Sequence, residues 1–400
     1  MMRRDLALIV SGVGVSAFGT CLSRLVLMVQ LKDHGAFALA ALMIAALLPS
    51  ALGAPIAGLL VDRLPNRMLM QLAQFLQAVA TLAMAFLIDD IAAVLITTLL
   101  VGCGAAVADP AAATLAPRTA GPGDIAKGFA WLASSRWTGY VLGTAAGGVL
   151  ITAVGGRNAI LIDAGTFLVQ ALLLLFLRTD RDPRAEGGAR GKEKKGAAMA
   201  GIRHLARDKV ITVSLGGLAV VALCVALINV ADVFLITDVL RGGVVLIGWV
   251  YAAWMVGSIL GSRVAGRLVD QRAMVRTLGW AGAALGLAVL IPAVFAHTTV
   301  IVVAFLCGGF ANGMQNVARQ ALVRLRTPEH MHGRAFAATD SVMRTANALG
   351  TMIAGFVVTG IGPRWSMGLA GAAATLISIG TLLVAREREP ARVVETTRAG

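Results

Sequence analysis

Residues 57–62 read Ala-Gly-Leu-Leu-Val-Asp, and residues 265–270 read Ala-Gly-Arg-Leu-Val-Asp. The same offset, 207 to 208 positions, lays Arg24 on Asp232, Asp109 on Asn316, Lys127 on Arg334, Gly143 on Gly350 and Arg157 on Arg364. A period that covers half of a 400-residue chain marks a duplicated domain and not an array of short repeats.

Outward from the two hexapeptides the chain is strongly apolar. Hydrophobic residues make up 58% and charged residues only 14%, with mean hydropathy +0.81, against roughly 25% charged residues in soluble domains. Apolar runs of about 20 residues, enough to cross a hydrocarbon core as helix, recur between short polar breaks. Twelve spans are expected, at 6–31, 36–60, 67–88, 91–115, 126–153, 158–178, 209–236, 243–269, 274–296, 298–323, 333–361 and 364–385. Abundant Gly and Ala without strand-like alternation point to helices, which satisfy their own backbone in lipid, and not to a barrel. The fold class expected is thus an all-α membrane protein of two pseudo-symmetric six-helix bundles. Arg3 and Arg4 before an apolar run imitate a secretory leader. The run continues to Gln30 without a small-residue cleavage site, so it reads as the first membrane helix.

Charge placement sets the expected topology. Twenty-six Lys and Arg fall in the termini and the breaks that would share their side, against four in the opposite breaks: Lys32, Arg157, Arg241 and Arg364. The positive-inside rule then puts both termini in the cytoplasm of a multi-pass inner-membrane protein. It also explains the net charge of +14 through topology and anionic lipid, with no role for nucleic acid. The long polar break is expected to be a cytoplasmic linker, 179–208, between bundles at 1–178 and 209–385, with a tail at 386–400. Met199, Ile202, Leu205 and Ala206 within it suit a short surface helix, and a plain disordered linker fits equally.

Several chemistries lack their residues. The four cysteines sit singly in apolar segments, and all five histidines lie in breaks or at span ends, so disulfides and metal sites are not expected. Phosphate-binding glycine loops, nucleophile elbows and H-E-x-x-H are missing, which argues against an ATP-driven pump or an enzyme and calls for no cofactor.

Two duplicated bundles are the plan of transporters that rock around a midplane site. The loop GLLVDRLPNR, with Gly58, Asp62, Arg63 and Arg67, resembles the G-x-x-x-D-R-x-G-R-[RK] signature of the major facilitator superfamily, with Pro65 and Asn66 replacing its usual Gly and Arg. The resemblance extends along nearly the whole chain. It implies that Asp62 meets the start of the eleventh helix near Arg334, and that Asp270 approaches the start of the fifth. Gly139, Gly143, Gly147 and Gly148 look like the superfamily's antiporter signature, with Thr144 where a proline is usual; such glycines also serve close packing. Ala133 to Arg136 and Ile162 to Phe167 are similar to the branch containing macrolide-efflux and siderophore-export proteins. The fourth span lacks the arginine that many drug/proton antiporters place before G-x-G.

Charges in the spans complete the expectation, because one at the bilayer centre costs ~2.5–3.5 kcal/mol and needs a partner or a wet cavity. Arg24 and Asp232 occupy equivalent places with opposite signs, which suggests an ion-paired outer gate; a static pair or separate partners fit as well. Asp109, Arg136, Asp340, Arg344 and Asn316 are further candidates for substrate or proton coupling. An acid that alternates between apolar surroundings and a guanidinium can bind and release a proton, and Asp109 and Asp232 are the candidates for that role. Packing roles remain open for Asp109, Arg136 and Arg344, and Asp163 reads as structural. Trp137, Tyr140, Trp249 and Trp254 could stack on a ligand or simply pack. The reading that follows is a monomeric, proton-coupled exporter of a lipophilic small molecule, drug-like or siderophore-like. Its rivals are a nutrient importer, which the scarcity of buried amides disfavours, and a non-transporting scaffold.

Overall fold

A computed structural model describes residues 4–120, 125–178, 209–267, 271–327 and 332–387. The expected linker, the tail beyond Glu387, and Asp270 lie outside the described residues, as do the side chains of Asp62 and Arg334.

The described residues are almost entirely helical: α1 (Arg4–Lys32), α2 (Ala36–Leu52), α3 (Ala54–Arg63), α4 (Asn66–Phe86), α5 (Ile91–Ala120), α6 (Ile125–Val154), α7 (Gly156–Leu175), α8 (Lys209–Phe234), α9 (Val244–Ala265), α10 (Gln271–Val294), α11 (Thr298–Arg326) and α12 (His332–Glu387). The twelve crossings do not map one to one onto these elements. The second expected span is split into α2 and α3 at Gly53, where Pro49 stands four residues before the break and a proline opens α3. The last two expected spans run together as α12, which is broken at Gly362 and Pro363.

The duplication reaches the backbone. Gly155 between α6 and α7 (φ 83°, ψ 158°) and Gly362 within α12 (φ 79°, ψ 162°) are 207 positions apart, and both adopt a positive φ that glycine alone tolerates without strain. The arginines that follow them act alike. Arg157 Nε donates to the Ala85 carbonyl at the end of α4 (2.9 Å), and Arg364 Nε to the Ala293 carbonyl at the end of α10 (2.6 Å). Each satisfies a carbonyl that the end of a helix leaves without an intrahelical donor. Two of the four cations counted on the sparse side are therefore consumed by architecture.

Helix neighbours respect a twofold relation: α1 packs on α6 as α8 packs on α12, and α6 meets α9 across the halves as α12 meets α2. The cores show how the halves sit. Near the ends marked by Lys32 and Gly243, called the distal side here, one apolar cluster joins both halves, from Leu25, Leu31 and Leu39 to Ile228, Ile236 and Ile247. On the opposite, terminal side the clusters are separate, with Leu6, Val13, Leu69 and Leu115 in one half and Leu215, Val323 and Ala338, or Leu278 and Leu322, in the other. The bundles are thus fused distally and parted on the side of the termini.

Candidate functional site

A cleft that opens toward the termini should expose polar groups of inner helix faces, and it does. Along α12, Asp340 and Arg344 are exposed on one face, with Asn347 half-buried and Thr351 buried further along it, while Val342, Leu349, Ile353 and Phe356 are exposed on the other. The polar stripe ends distally at Gly355, against which Phe37 of α2 packs from the other half.

Each half carries an ion pair between the same two helices of its repeat. In the first half, Asp109 Oδ1 of α5 meets Arg136 Nη2 of α6 at 2.7 Å. In the second, Arg319 Nη1 of α11 meets Asp340 Oδ1 of α12 at 3.0 Å. The acid precedes the base in the first pair and follows it in the second. The acids are open, with side chains 58% and 57% exposed, whereas Arg136 is 29% and Arg319 only 10% exposed. Arg344 lies close enough to Asp109 to act on its charge, so the stripe on α12 and the pair on α5 and α6 share one polar spot across the cleft. Asn316 is exposed nearby on α11 and donates to the Asn312 carbonyl (3.0 Å).

Arg24 and Asp232 behave differently from the expected gate. Asp232 is fully buried and its Oδ1 accepts a hydrogen bond from the Tyr251 hydroxyl of α9 (3.1 Å), in its own half. Among the described residues no ion pair joins it to Arg24, although the distal side is shut. Arg24 is instead exposed between buried Ser23 and Leu25, near enough to Tyr140 and Tyr251 to act on both electrostatically. The ion pair that does cross the halves distally is Lys32 Nζ to Asp238 Oδ1, at 2.6 Å. Asp238 sits in a π-helical turn, Leu235–Val239, whose wider winding carries the chain beyond α8.

The glycine series divides between two tasks. A Cβ on Gly139, Gly143 or Gly147 would strike α1 of the same half, at Gly14, Phe18 and Leu25 respectively. A Cβ on Gly148 would come within 2.5 Å of Val245 Cα in α9, across the halves, and a Cβ on Gly248 would come as close to the Thr144 carbonyl oxygen. The distal seam is therefore close-packed backbone, with Phe37 and Phe356 meeting edge to face at 4.8 Å beside it.

In the signature loop, Arg63 is exposed, while Arg67 donates to the carbonyls of Leu175 (2.7 Å) and Leu177 (2.6 Å). Those bonds tie α4 to the end of α7 within one half. Asp163 accepts from Ser23 (2.5 Å) and Thr166 (3.3 Å), pinning α7 to α1 as its structural reading implies. Trp254 packs on Phe305, so it belongs to the second bundle's interior contacts, whereas Trp137 lies edge to face with Tyr140 at 6.0 Å.

Reading the sequence missed Arg319, Tyr251 and the Lys32–Asp238 pair. Arg319 had a signal, being the lone charge in the span 298–323. Lys32 and Asp238 lie just past span ends and read as ordinary loop charges. Tyr251 had only the rarity of tyrosine, of which the chain has two.

The family model described as Major Facilitator Superfamily matches residues 5–245 and 227–400. The chain is 26% identical over 335 residues to the "Multidrug efflux pump Tap" of Mycolicibacterium fortuitum, covering 77% of each chain. It is 25% identical over 365 residues to the "Uncharacterized MFS-type transporter YfiS" of Bacillus subtilis, covering 89% of this chain and 86% of the relative. A crystal structure of the nucleoside transporter NupG superposes with TM-score 0.74 at 14% identity, covering 97% of this chain and 100% of that one, a likeness of fold alone.

Proposed function

Because the chain belongs to the major facilitator superfamily of membrane transporters, we propose that it is a proton-coupled exporter of a lipophilic small molecule, working by alternating access. One observation carries the reading: an ion-paired polar spot sits in a cleft between bundles that are fused at one end and parted at the other. Charge asymmetry between the breaks supports a cytoplasmic position for the parted end, from which an exporter's cleft would be loaded. The aromatic side chains of Tyr140 and Trp137, on the helix that carries Arg136 of the first half's ion pair, and the scarcity of exposed amides support greasy cargo over a sugar. The likeness to a multidrug efflux pump supports the direction.

Coupling rests on acids that can change partners. Asp109 is open to the cleft and shared between Arg136 and Arg344, and closure of the terminal side would alter both its exposure and its neighbours. Asp232 is buried beside Tyr251 and would be reached when the distal seam parts. A proton carried by one of these acids in exchange for cargo couples the two movements.

Expression in an efflux-deficient host, challenged with toxic lipophilic compounds with and without a proton-gradient collapser, tests direction and coupling together. Resistance that depends on the chain and disappears with the gradient is expected. Resistance that survives the collapser would overturn proton coupling, and accumulation in place of resistance would overturn export.

A further inference from the structure

The charges of the cleft do not balance, and the imbalance has a location. Four arginines reach it from the two halves: Arg24, Arg136, Arg319 and Arg344. Two are engaged, Arg136 by Asp109 and Arg319 by Asp340. Arg344 faces an Asp109 whose charge Arg136 already holds at 2.7 Å. Arg24 has no ion pair among the described residues, and the further acids of that region are buried and engaged elsewhere, Asp232 by Tyr251 and Asp163 by Ser23 and Thr166. One exposed guanidinium therefore stands without a counter-ion in the upper cleft, and a second stands lower, sharing a carboxylate.

The surroundings of Arg24 narrow what could answer it. Its helix is otherwise buried from Cys21 to Met28, and it acts on a tyrosine of each half, which directs the guanidinium to the space between the halves. Both tyrosines of the chain are within its electrostatic reach, Tyr140 from the first half and Tyr251 from the second, and Trp137 lies edge to face with Tyr140. A guanidinium offers a planar fork of donors that matches a carboxylate or a comparable oxyanion, and aromatic faces beside it accept an apolar ring. A cationic drug would meet repulsion at Arg24 and would find both exposed carboxylates already paired.

Building on the exporter reading, we propose that the cargo is a lipophilic anion, an aromatic or aliphatic body with one carboxylate-like group. Arg24 receives the anionic group, and Arg344 holds it at a first, lower station on the way up the cleft. This sets the chain's cargo apart from the lipophilic cations that a generic drug exporter would be screened with.

The test compares two probes with the same ring and opposite charge, pyrenebutyrate and a pyrenebutyl-trimethylammonium salt, binding to the full chain in neutral-lipid nanodiscs. The carboxylate is expected to bind about tenfold tighter than the ammonium, the order of one charge-assisted hydrogen bond. Arg24→Gln should erase that preference, Arg24→Lys should keep most of it, and Arg344→Gln should weaken carboxylate binding a few-fold. Equal or tighter binding of the ammonium overturns the proposal, as does an Arg24→Gln protein that retains the preference. If Arg24→Gln does not fold, the wild-type comparison and Arg344→Gln still decide. Binding in a nanodisc needs no gradient and no direction. Charge preference without export in cells would refute the exporter reading alone, and export restricted to cations would refute the anion alone.

Discussion

The two halves place an ion pair between the same helices of the repeat and give it opposite polarity, whereas Arg157 and Arg364, or Gly155 and Gly362, match in identity and in task. Where the repeats agree, the residue caps a helix end or turns the chain. Where they differ in sign, as in the two ion pairs and at Arg24 against Asp232, the residue lines or adjoins the cleft. Duplication thus fixed the frame and left the polar interior free to diverge, which is what a two-sided frame with one-sided cargo requires.

The largest effect that would break this comparison comes from the seam. Gly148→Leu puts a side chain where Val245 Cα already leaves only 2.5 Å for a Cβ. Distal closure should fail, and transport should fall by more than about 90%, since overpacking of this kind costs 1–3 kcal/mol or more. Size-exclusion chromatography should still show folded protein, because the terminal-side cores of the two bundles are separate and lie away from the seam.

Next come the unlike ion pairs. Arg319 is the most buried of the four partners, so Arg319→Ala should lower stability by roughly 1–2 kcal/mol, a buried-pair cost discounted for the openness of Asp340. Arg136→Ala should cost less than about 1 kcal/mol and yet impair transport more severely. Thermal unfolding in detergent set beside a transport assay checks the crossing of the two orders. If both variants lose stability and transport in parallel, the pairs do not divide into a bracing one and a working one.

The smallest effect is at the distal surface. Lys32 and Asp238 are partly exposed, and such pairs contribute ~0.2–1 kcal/mol, less at high salt. Lys32→Gln should raise thiol labelling of a distal cysteine by a factor of two to five at low ionic strength, which is about what that energy allows. No change would mean that close-packed glycines alone hold the seam.

Much of this arrangement was readable from residue order. Hydropathy marked where the chain crosses, because lipid leaves a helix few alternatives, and the repeat located Arg24, Asp109, Asp232 and Arg344 as charges needing an explanation. Partnership was not readable. Asp232 turns to Tyr251 and Arg24 stays exposed because helix rotation and the wider π turn after α8 decide which groups meet, and an offset of 208 positions carries neither. The breaks at Gly53 and Gly362 likewise merged or split helices without changing the number of crossings, since Pro and Gly act on the local backbone while crossings answer to length.

The most direct test is a pair of distances in a background freed of Cys21, Cys103, Cys224 and Cys307. Spin labels at H34C and R241C report the distal side, and labels at R63C and R267C report the terminal side. Without cargo the distal pair should be short and the terminal pair long and broad, and substrate with a proton gradient should lengthen the first while shortening the second. Two distances that move in the same direction, or neither moving while transport proceeds, would contradict bundles rocking about a shared polar spot.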